Sequence, residues 1–237
     1  MVEFAPPPHA PPPAGHVTLC RTWSLGERRA GVRCWSPGGR PIDCCGHGLL
    51  GCAMLWSRRW ETGGTLVSGQ TSLPTRSNGR LHWIGFPRLA VRPAIAADFS
   101  RRQTLEQLES LIGAPLANCA VAGGAQGYLI AELAQEDALS TLRPPGAALG
   151  AATERALIVT SRCGHSADKI AFRYFAPQYG VSEDSATGSA MRVLASYWQH
   201  RGLGEALEGL QLSPAGGLLR SAVEGGITWV GGIVLDE

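Results

Sequence analysis

The pattern of apolar and polar positions predicts a chain made mainly of strands, with one long apolar helix in each half. Residues 49–56 are almost wholly apolar, so we expect a helix over residues 46–60 that is buried on most sides. Residues 189–200 have the same character, and Gly202 ends that helix. Segments that alternate apolar and polar residues, or that are rich in β-branched residues, are typical of strands. The predicted strands cover residues 17–23, 30–36, 65–68, 73–76, 81–84, 117–121, 128–133, 156–161, 170–176 and the closing stretch 217–235.

Proline and turn residues divide the chain into a tail and two halves. Residues 1–15 contain two Pro-Pro-Pro runs, which predict a disordered tail because proline has no backbone donor. Shorter helices are expected over residues 104–112 and 135–142. We therefore predict an α+β fold with two pseudo-symmetric half-domains, residues 16–92 and 93–237.

Composition and charge exclude several functional classes. The 237 residues are 44% hydrophobic, which is enough for substantial cores. The net charge is only +2 and the basic residues are scattered, so we expect no nucleic-acid binding. No apolar run approaches the roughly 20 residues that span a bilayer, and no signal-peptide core is present, so we expect no membrane association and a cytoplasmic protein. The seven cysteines include no C-x-x-C pair and the six histidines show no metal-ligand spacing, so we expect reduced thiols and no metal site.

A repeated motif is the most informative feature of the sequence. An Arg-x-aromatic-x-Pro run precedes a glycine and an apolar stretch, which ends in tryptophan ten residues after the glycine. The first copy consists of Arg33, Trp35, Pro37, Gly46 and Trp56, and the second of Arg173, Phe175, Pro177, Gly188 and Trp198. The repeat indicates two similar half-domains that face each other across one cleft. Because each glycine begins a helix, we expect free backbone N–H groups to bind an anion from two sides.

The second helix start carries a carboxylate as well as small residues. Thr187, Gly188 and Ser189 open the helix, where N–H groups and a serine hydroxyl can bind an anionic ligand. Asp184 lies just upstream and could accept or donate a proton on that ligand. The alternative is that Asp184 and Ser189 only cap a buried helix.

The first helix start carries a histidine and cysteines. Gly46 and Gly48 flank His47, and the helix dipole favours a neutral imidazole there, which suits hydrogen bonding or proton transfer. Cys45 lies where a thiolate would be stabilised, although it could equally be a small buried hydrophobe. For Cys44 and Cys52 we favour the hydrophobe.

The second motif resembles the signature of the phenazine-biosynthesis PhzF-like proteins, and the first motif resembles that family's first-half motif. The resemblance covers residues 17–237 and implies the diaminopimelate-epimerase-like fold, in which each domain wraps a mostly antiparallel curved sheet around a central helix. It implies a cofactor-independent isomerase or epimerase that moves a proton on a small carboxylate-bearing metabolite. The site residues it implies are Asp184, His47, the backbone at Gly46 and Gly188, and the hydroxyl of Ser189.

The sequence departs from the family at its start. The family's principal acid/base is a glutamate, and counting back from His47 places its position among residues 15–19, where no carboxylate is present. His16 or Thr18 would lie in that neighbourhood. Three hypotheses stay open: an active isomerase, a non-catalytic small-molecule-binding homologue, and a misassigned start. An incomplete first sheet would have an open edge, so we expect a homodimer that covers it. Ser185 and Ala186 stand where a second racemase thiol would lie, which argues against a two-thiol racemase.

Overall fold

A computed structural model describes residues 1–5, 18–36, 38–42, 45–60, 63–99, 105–164 and 166–233. The chain forms two units. The first unit contains Met1–Pro87 together with Glu224–Glu237, and the second contains Arg88–Val223. Each unit combines one sheet with a long central helix, so the predicted α+β class is confirmed.

The first unit is a mixed sheet around the helix α1. Its strands are β1 (Val2–Phe4), β2 (Leu19–Gly26), β3 (Arg29–Trp35), β4 (Pro41–Ile42), β5 (Thr65–Ser68), β6 (Thr71–Asn78), β7 (Leu81–Pro87) and β15 (Ile227–Ile233). The strand order is β1-β2-β3-β5-β6-β7-β15, with β4 on β3. The pairs β1–β2 and β3–β5 are parallel and the others are antiparallel.

Helix α1 (Gly46–Trp60) packs against six strands of this sheet, β1, β2, β3, β5, β6 and β7. Its buried residues are Gly48, Leu49, Gly51, Cys52, Ala53, Trp56 and Trp60, whereas Arg58 and Arg59 are exposed. The predicted bounds of this helix are confirmed.

The second unit repeats the arrangement around the helix α5 (Gly188–His200). Its strands are β8 (Val91–Pro93), β9 (Leu116–Ala122), β10 (Tyr128–Leu133), β11 (Ala156–Arg162), β12 (Lys169–Phe175), β13 (Ala206–Gln211) and β14 (Gly217–Glu224), in the order β14-β13-β12-β11-β10-β9-β8. The pairs β10–β11 and β12–β13 are parallel and the others are antiparallel. The described residues of this unit also form three short α-helices, α2 (Leu105–Ile112), α3 (Ala138–Thr141) and α4 (Ala147–Ala152), and two 3-10 helices, Ala96–Asp98 and Pro177–Tyr179.

A chain of two hydrogen bonds recurs in both units and demonstrates their internal similarity. In the first unit the Trp56 indole donates to Thr22 Oγ1 at 2.7 Å, and that hydroxyl donates to the Gly31 carbonyl at 2.9 Å. In the second, Trp198 donates to Thr160 Oγ1 at 3.1 Å, and Thr160 donates to the Ala171 carbonyl at 2.9 Å. We call this arrangement the Trp–Thr–carbonyl chain. It joins the end of the central helix to the same two strands of the sheet in each unit.

Two domain predictions need correction. Residues 2–4 of the predicted tail form the strand β1, because Val-Glu-Phe favours extended structure and pairs in parallel with β2. The rest of the tail, from residue 6, lies outside the described residues. The closing strand β15 belongs to the first unit, not to the predicted second half, because it pairs with β7 over its whole length.

Among the described strands and α-helices, four others were not predicted. They are the strands β4, β8 and β13 and the helix α4. Gly231 pairs with Trp83 across β15 and β7, and a Cβ at this glycine would lie 2.5 Å from the Trp83 ring. In the part of the chain that the structure describes, no helix is both long and apolar enough to span a bilayer.

Candidate functional site

The start of α5 is held by side chains from the loop before it and from β13. Thr187 is the N-cap residue, with φ −106° and ψ 92°, and its side chain does not bond to the helix N–H groups. Its hydroxyl instead donates to Asp184 Oδ2 at 2.7 Å, and its backbone N–H donates to Gln211 Oε1 at 2.6 Å. The first-turn N–H groups of α5 therefore receive no cap from the threonine hydroxyl.

Asp184 is fixed in position through both its side chain and its backbone. The half-buried carboxylate accepts hydrogen bonds from Ser185 N at 3.0 Å and from Thr187 Oγ1. Its own N–H donates to the Tyr174 carbonyl at 3.1 Å, and the Gln211 amide donates to its carbonyl oxygen. Ser185 and Thr187 both precede the helix. These two bonds therefore do not cap the N–H groups of α5, as the capping alternative for Asp184 would require. The carboxylate has the restrained orientation that proton transfer requires.

The neighbouring acid Glu183 is occupied by an ion pair. Arg173 donates from Nε to Glu183 Oε1 at 2.7 Å and from Nη2 to Oε2 at 2.8 Å, and both side chains are buried. Arg173 also donates to the carbonyl of Leu142 and lies 5.1 Å from the centre of the Phe175 ring. This bidentate pair anchors the loop that carries Asp184 to the strand β12.

The start of α1 combines an exposed imidazole with a buried thiol. The carbonyl of Cys45 accepts the first helical hydrogen bond, from Leu49 N at 2.8 Å, so this cysteine directly precedes the helix. His47 is exposed, and its Nε2 lies 3.4 Å from Cys45 Sγ. Gly46 is half-buried and Gly48 is buried.

Cys45 belongs to a cluster of three buried thiols, with Cys20 on β2 and Cys34 on β3. The three sulfur atoms lie within 4.8 Å of one another. Hydrogen bonds from Cys20 and Cys34 lower the pKa of Cys45, and His47 lowers it further, so a thiolate is favoured at this position. Hydrogen bonds to Cys20 and Cys45 raise the pKa of Cys34. We call these three residues the thiol cluster.

The structure brings the predicted residues together within each unit. Asp184, Thr187, Gly188 and Ser189 are gathered at the start of α5, and Cys45, Gly46, His47 and Gly48 at the start of α1. Cys52 is fully buried on α1, and burial raises its pKa to about 12, as expected of a small hydrophobe. Cys44 and His16 lie outside the described residues. The Thr18 carbonyl accepts a hydrogen bond from the Met1 amino group at 2.8 Å.

Sequence reasoning missed Gln211, Cys20 and Cys34. Cys20 and Cys34 are directly opposed in the β2–β3 pair. The turn at residues 27–28 does not reveal this register, because Gly26 opposite Arg29 would place residues 20 and 35 across from each other, and an irregularity between Ser24 and Gly26 shifts the pairing by one residue. Gln211 reaches the start of α5 from a strand that was not predicted.

The chain is similar to known proteins over most of its length. A family model described as phenazine biosynthesis-like protein, PhzC-PhzF, matches residues 21–220. An uncharacterized isomerase of Pseudomonas aeruginosa is 36% identical over 187 residues, which cover 78% of this chain and 67% of that protein. An uncharacterized isomerase of Vibrio cholerae is 30% identical over 181 residues, which cover 74% of this chain and 58% of that protein. The chain thus matches 58–67% of the length of these two relatives.

Solved structures show the same fold. The crystal structure of a PhzF-family protein of Enterococcus faecalis superposes with a TM-score of 0.77 at 24% identity, covering 91% of this chain and 78% of the other. The predicted diaminopimelate-epimerase-like fold is confirmed.

Proposed function

Because the chain belongs to the phenazine biosynthesis-like protein family, we propose that it is a cofactor-independent isomerase or epimerase that moves a proton on a small carboxylate-bearing metabolite. The names of the relatives from Pseudomonas aeruginosa and Vibrio cholerae support the reaction class. The observation that carries the proposal is Asp184, a carboxylate held by Ser185 and Thr187 directly before the start of α5.

The proposed binding groups are the backbone and hydroxyl donors at the two helix starts. A substrate carboxylate would accept hydrogen bonds from N–H groups in the first turns of α1 and α5, where the helix dipoles also favour negative charge. The proposed binding residues are Gly46, Gly48, Thr187, Gly188 and Ser189.

The proposed proton step begins at Asp184. Its carboxylate takes a proton from the carbon next to the substrate carboxyl or carbonyl group, and the electron pair of the broken C–H bond moves into an enolate-like intermediate. Backbone donors at the helix starts stabilise the negative charge that develops. A second group then returns a proton to a carbon of the intermediate, which gives the isomer.

The proposed second group is Cys45 or His47. Cys45 Sγ and His47 Nε2 lie 3.4 Å apart, so a thiolate and an imidazolium can share one proton there, and the proposed pair would give up this proton to the intermediate. Neither residue is a carboxylic acid, unlike the glutamate that the family resemblance implies.

One observation favours a second candidate function. Residues 15–19 contain no carboxylate at the place where the resemblance implies the principal acid/base. The chain would then bind the same class of metabolite without turning it over. Such a binding protein would be stabilised by its ligand but would exchange no ligand proton with solvent.

The experiment that separates the two functions is a screen in two steps. Small carboxylic acids are first tested for ligand-induced stabilisation, and each hit is then incubated with the protein in D2O and followed by proton NMR. We expect deuterium to appear at a carbon next to a carboxyl or carbonyl group. Stabilising hits that never incorporate deuterium would replace the isomerase with the binding protein.

The variant Asp184→Asn is the matched test of the proton step. The amide has nearly the same shape, and its oxygen can still accept the hydrogen bond from Ser185 N. We expect deuterium incorporation to fall by roughly 10²–10⁴-fold. Asp168→Asn is the control, because Asp168 is an exposed carboxylate that also accepts a hydroxyl hydrogen bond, from Ser166 at 2.7 Å.

The proposed setting is the cytoplasm and the proposed assembly is a homodimer. Sedimentation equilibrium at several protein concentrations measures the assembly directly, and a constant monomer mass would contradict it.

A further inference from the structure

The thiol cluster has a geometry that the proposed function does not require. Cys20, Cys34 and Cys45 come from two adjacent strands and from the residue before α1, yet their sulfur atoms lie within 4.8 Å of one another. All three residues are almost inaccessible, with exposures of 1%, 3% and 4%. Three soft donors are therefore gathered at one point below the surface.

Gly48 allows the three sulfur atoms to pack closely against the first turn of α1. A Cβ at this position would lie 2.1 Å from Cys20 Sγ, 3.0 Å from Cys45 Sγ and 3.3 Å from Cys34 Sγ. All three sulfurs therefore face the same point on the first turn of α1. Without a Cβ, glycine permits this close approach of the sulfurs to the helix backbone.

Packing alone does not require sulfur atoms at the three positions of the thiol cluster. The Trp–Thr–carbonyl chains match the two units residue by residue. On that match Ile158, Tyr174 and Thr187 of the second unit stand where the first unit has Cys20, Cys34 and Cys45. The same junction of strands and helix is thus built without any cysteine.

A fourth donor of the right kind lies beside the cluster. His47 Nε2 is 3.4 Å from Cys45 Sγ. In a tetrahedral zinc site, with Zn–S of about 2.3 Å and Zn–N of about 2.0 Å, sulfur and nitrogen are about 3.5 Å apart and two sulfurs about 3.8 Å apart. Three thiolates and one imidazole form a common ligand set for Zn²⁺, and soft sulfur donors disfavour Mg²⁺ and Ca²⁺.

We propose that Cys20, Cys34 and Cys45 bind a zinc ion, with His47 as the fourth ligand. Small movements of the side chains would bring the sulfurs from their present separations to the tetrahedral spacing, and binding would release the thiol protons to solvent. The site would tie β2, β3 and α1 together, in contrast to the expectation from the sequence that no metal site is present.

This inference does not depend on the isomerase proposal, although both involve Cys45 and His47. A bound zinc ion would occupy these two residues, so zinc binding excludes Cys45 and His47 as the group that returns the proton and leaves only the step at Asp184. The test therefore changes Cys20 and Cys34, which have no part in the proposed reaction.

The experiment measures zinc on the full chain under reducing conditions. Protein equilibrated with Zn²⁺ is passed through a desalting column, and its metal content is measured by inductively coupled plasma mass spectrometry. We expect about one zinc per chain in the wild type. In competition with a chelator, Cys20→Ala and Cys34→Ala should each weaken zinc binding by at least roughly 100-fold. The control Cys119→Ala removes a buried cysteine of the second unit and should bind as the wild type does.

Two results would overturn the proposal. One is a wild-type chain that leaves the column without zinc, and the other is equal affinity in the wild type and in both cluster variants. If a cluster variant fails to fold, the cobalt-substituted wild type gives the answer. Co²⁺ should show sulfur-to-metal charge-transfer absorption and tetrahedral visible bands, and a spectrum without them rejects the thiol ligands.

Discussion

The starts of α1 and α5 share one structural framework and carry different chemistry. In both units a tryptophan near the end of the helix donates to a buried threonine, which in turn donates to a strand carbonyl. Around the start of α1 the framework holds the thiol cluster and an exposed imidazole. Around the start of α5 it holds Asp184 in a network with Thr187 and Gln211.

The difference also extends to the arginine that begins each motif. Arg173 is buried and paired with Glu183, whereas Arg33 is exposed on β3. The repeat in the sequence therefore specifies where a helix and two strands meet. It does not specify which donors, charges or thiols surround that junction, and these decide the chemistry of each half.

The two arginines give the largest expected difference in stability. Arg173→Gln leaves the Glu183 carboxylate buried without its partner, so we expect the free energy of unfolding to fall by about 3–5 kcal/mol. Arg33→Gln changes an exposed side chain and should alter it by less than about 0.5 kcal/mol. Urea denaturation of both variants measures the contrast. Equal losses would mean that the motif arginines have equivalent roles.

The shared framework predicts equal losses in the two units. Thr22→Val and Thr160→Val each leave a buried indole N–H and a strand carbonyl without their partner. Each should cost about 1–3 kcal/mol of unfolding free energy. Urea denaturation again gives the values, with Thr71→Val on an exposed strand position as the control. A loss confined to one unit would contradict the correspondence between them.

The helix starts should respond differently to one methyl group. Counting from the first glycine of each helix, Gly48 corresponds to Ala190. Gly48→Ala would place its Cβ against Cys20 Sγ, so overpacking should exceed the gain in helix propensity and leave a net loss of about 1 kcal/mol. The measurement is the unfolding free energy of the variant. A higher unfolding free energy would show that the side chains of the thiol cluster move to accommodate the new methyl group.

The smallest expected effect is a shift in the titration of one thiol. Hydrogen bonds from Cys20 and Cys34 lower the pKa of Cys45, so its thiolate should persist at pH values where an ordinary cysteine is protonated. Cys34→Ala removes one donor and should move this titration toward higher pH. The pH dependence of thiolate absorbance measures it, as the difference between each protein and its Cys45→Ala counterpart. An unchanged titration of Cys45 would show that Cys34 does not lower the pKa of this thiol.

Local pattern was enough to predict the elements whose sequences are distinctive. The bounds of α1, β5 and β10 follow from an apolar run between polar ends or from β-branched residues between turns. The strand β13 was missed because Ala-Leu-Glu-Gly-Leu-Gln contains no β-branched residue. The strand β1 was missed because the proline runs beside it dominate the composition of that region.

Long-range pairing limited what could be predicted of the candidate site. Asp184 and Cys45 were found because each lies within four residues of the start of a recognisable helix. Cys20 and Cys34 lie far from Cys45 in the sequence, and only strand register brings their sulfur atoms together. The pairing of β15 with β7 is likewise invisible to a local pattern, because the two strands are separated by the whole second unit.

The central claim is that Asp184 moves a proton on the bound metabolite. Its most direct test is the rate of deuterium incorporation from D2O into one stabilising ligand, compared between the wild type and Asp184→Asn. We expect incorporation by the wild type and a rate lower by at least roughly 100-fold in the variant, with ligand-induced stabilisation retained. Equal rates in the two proteins would contradict it.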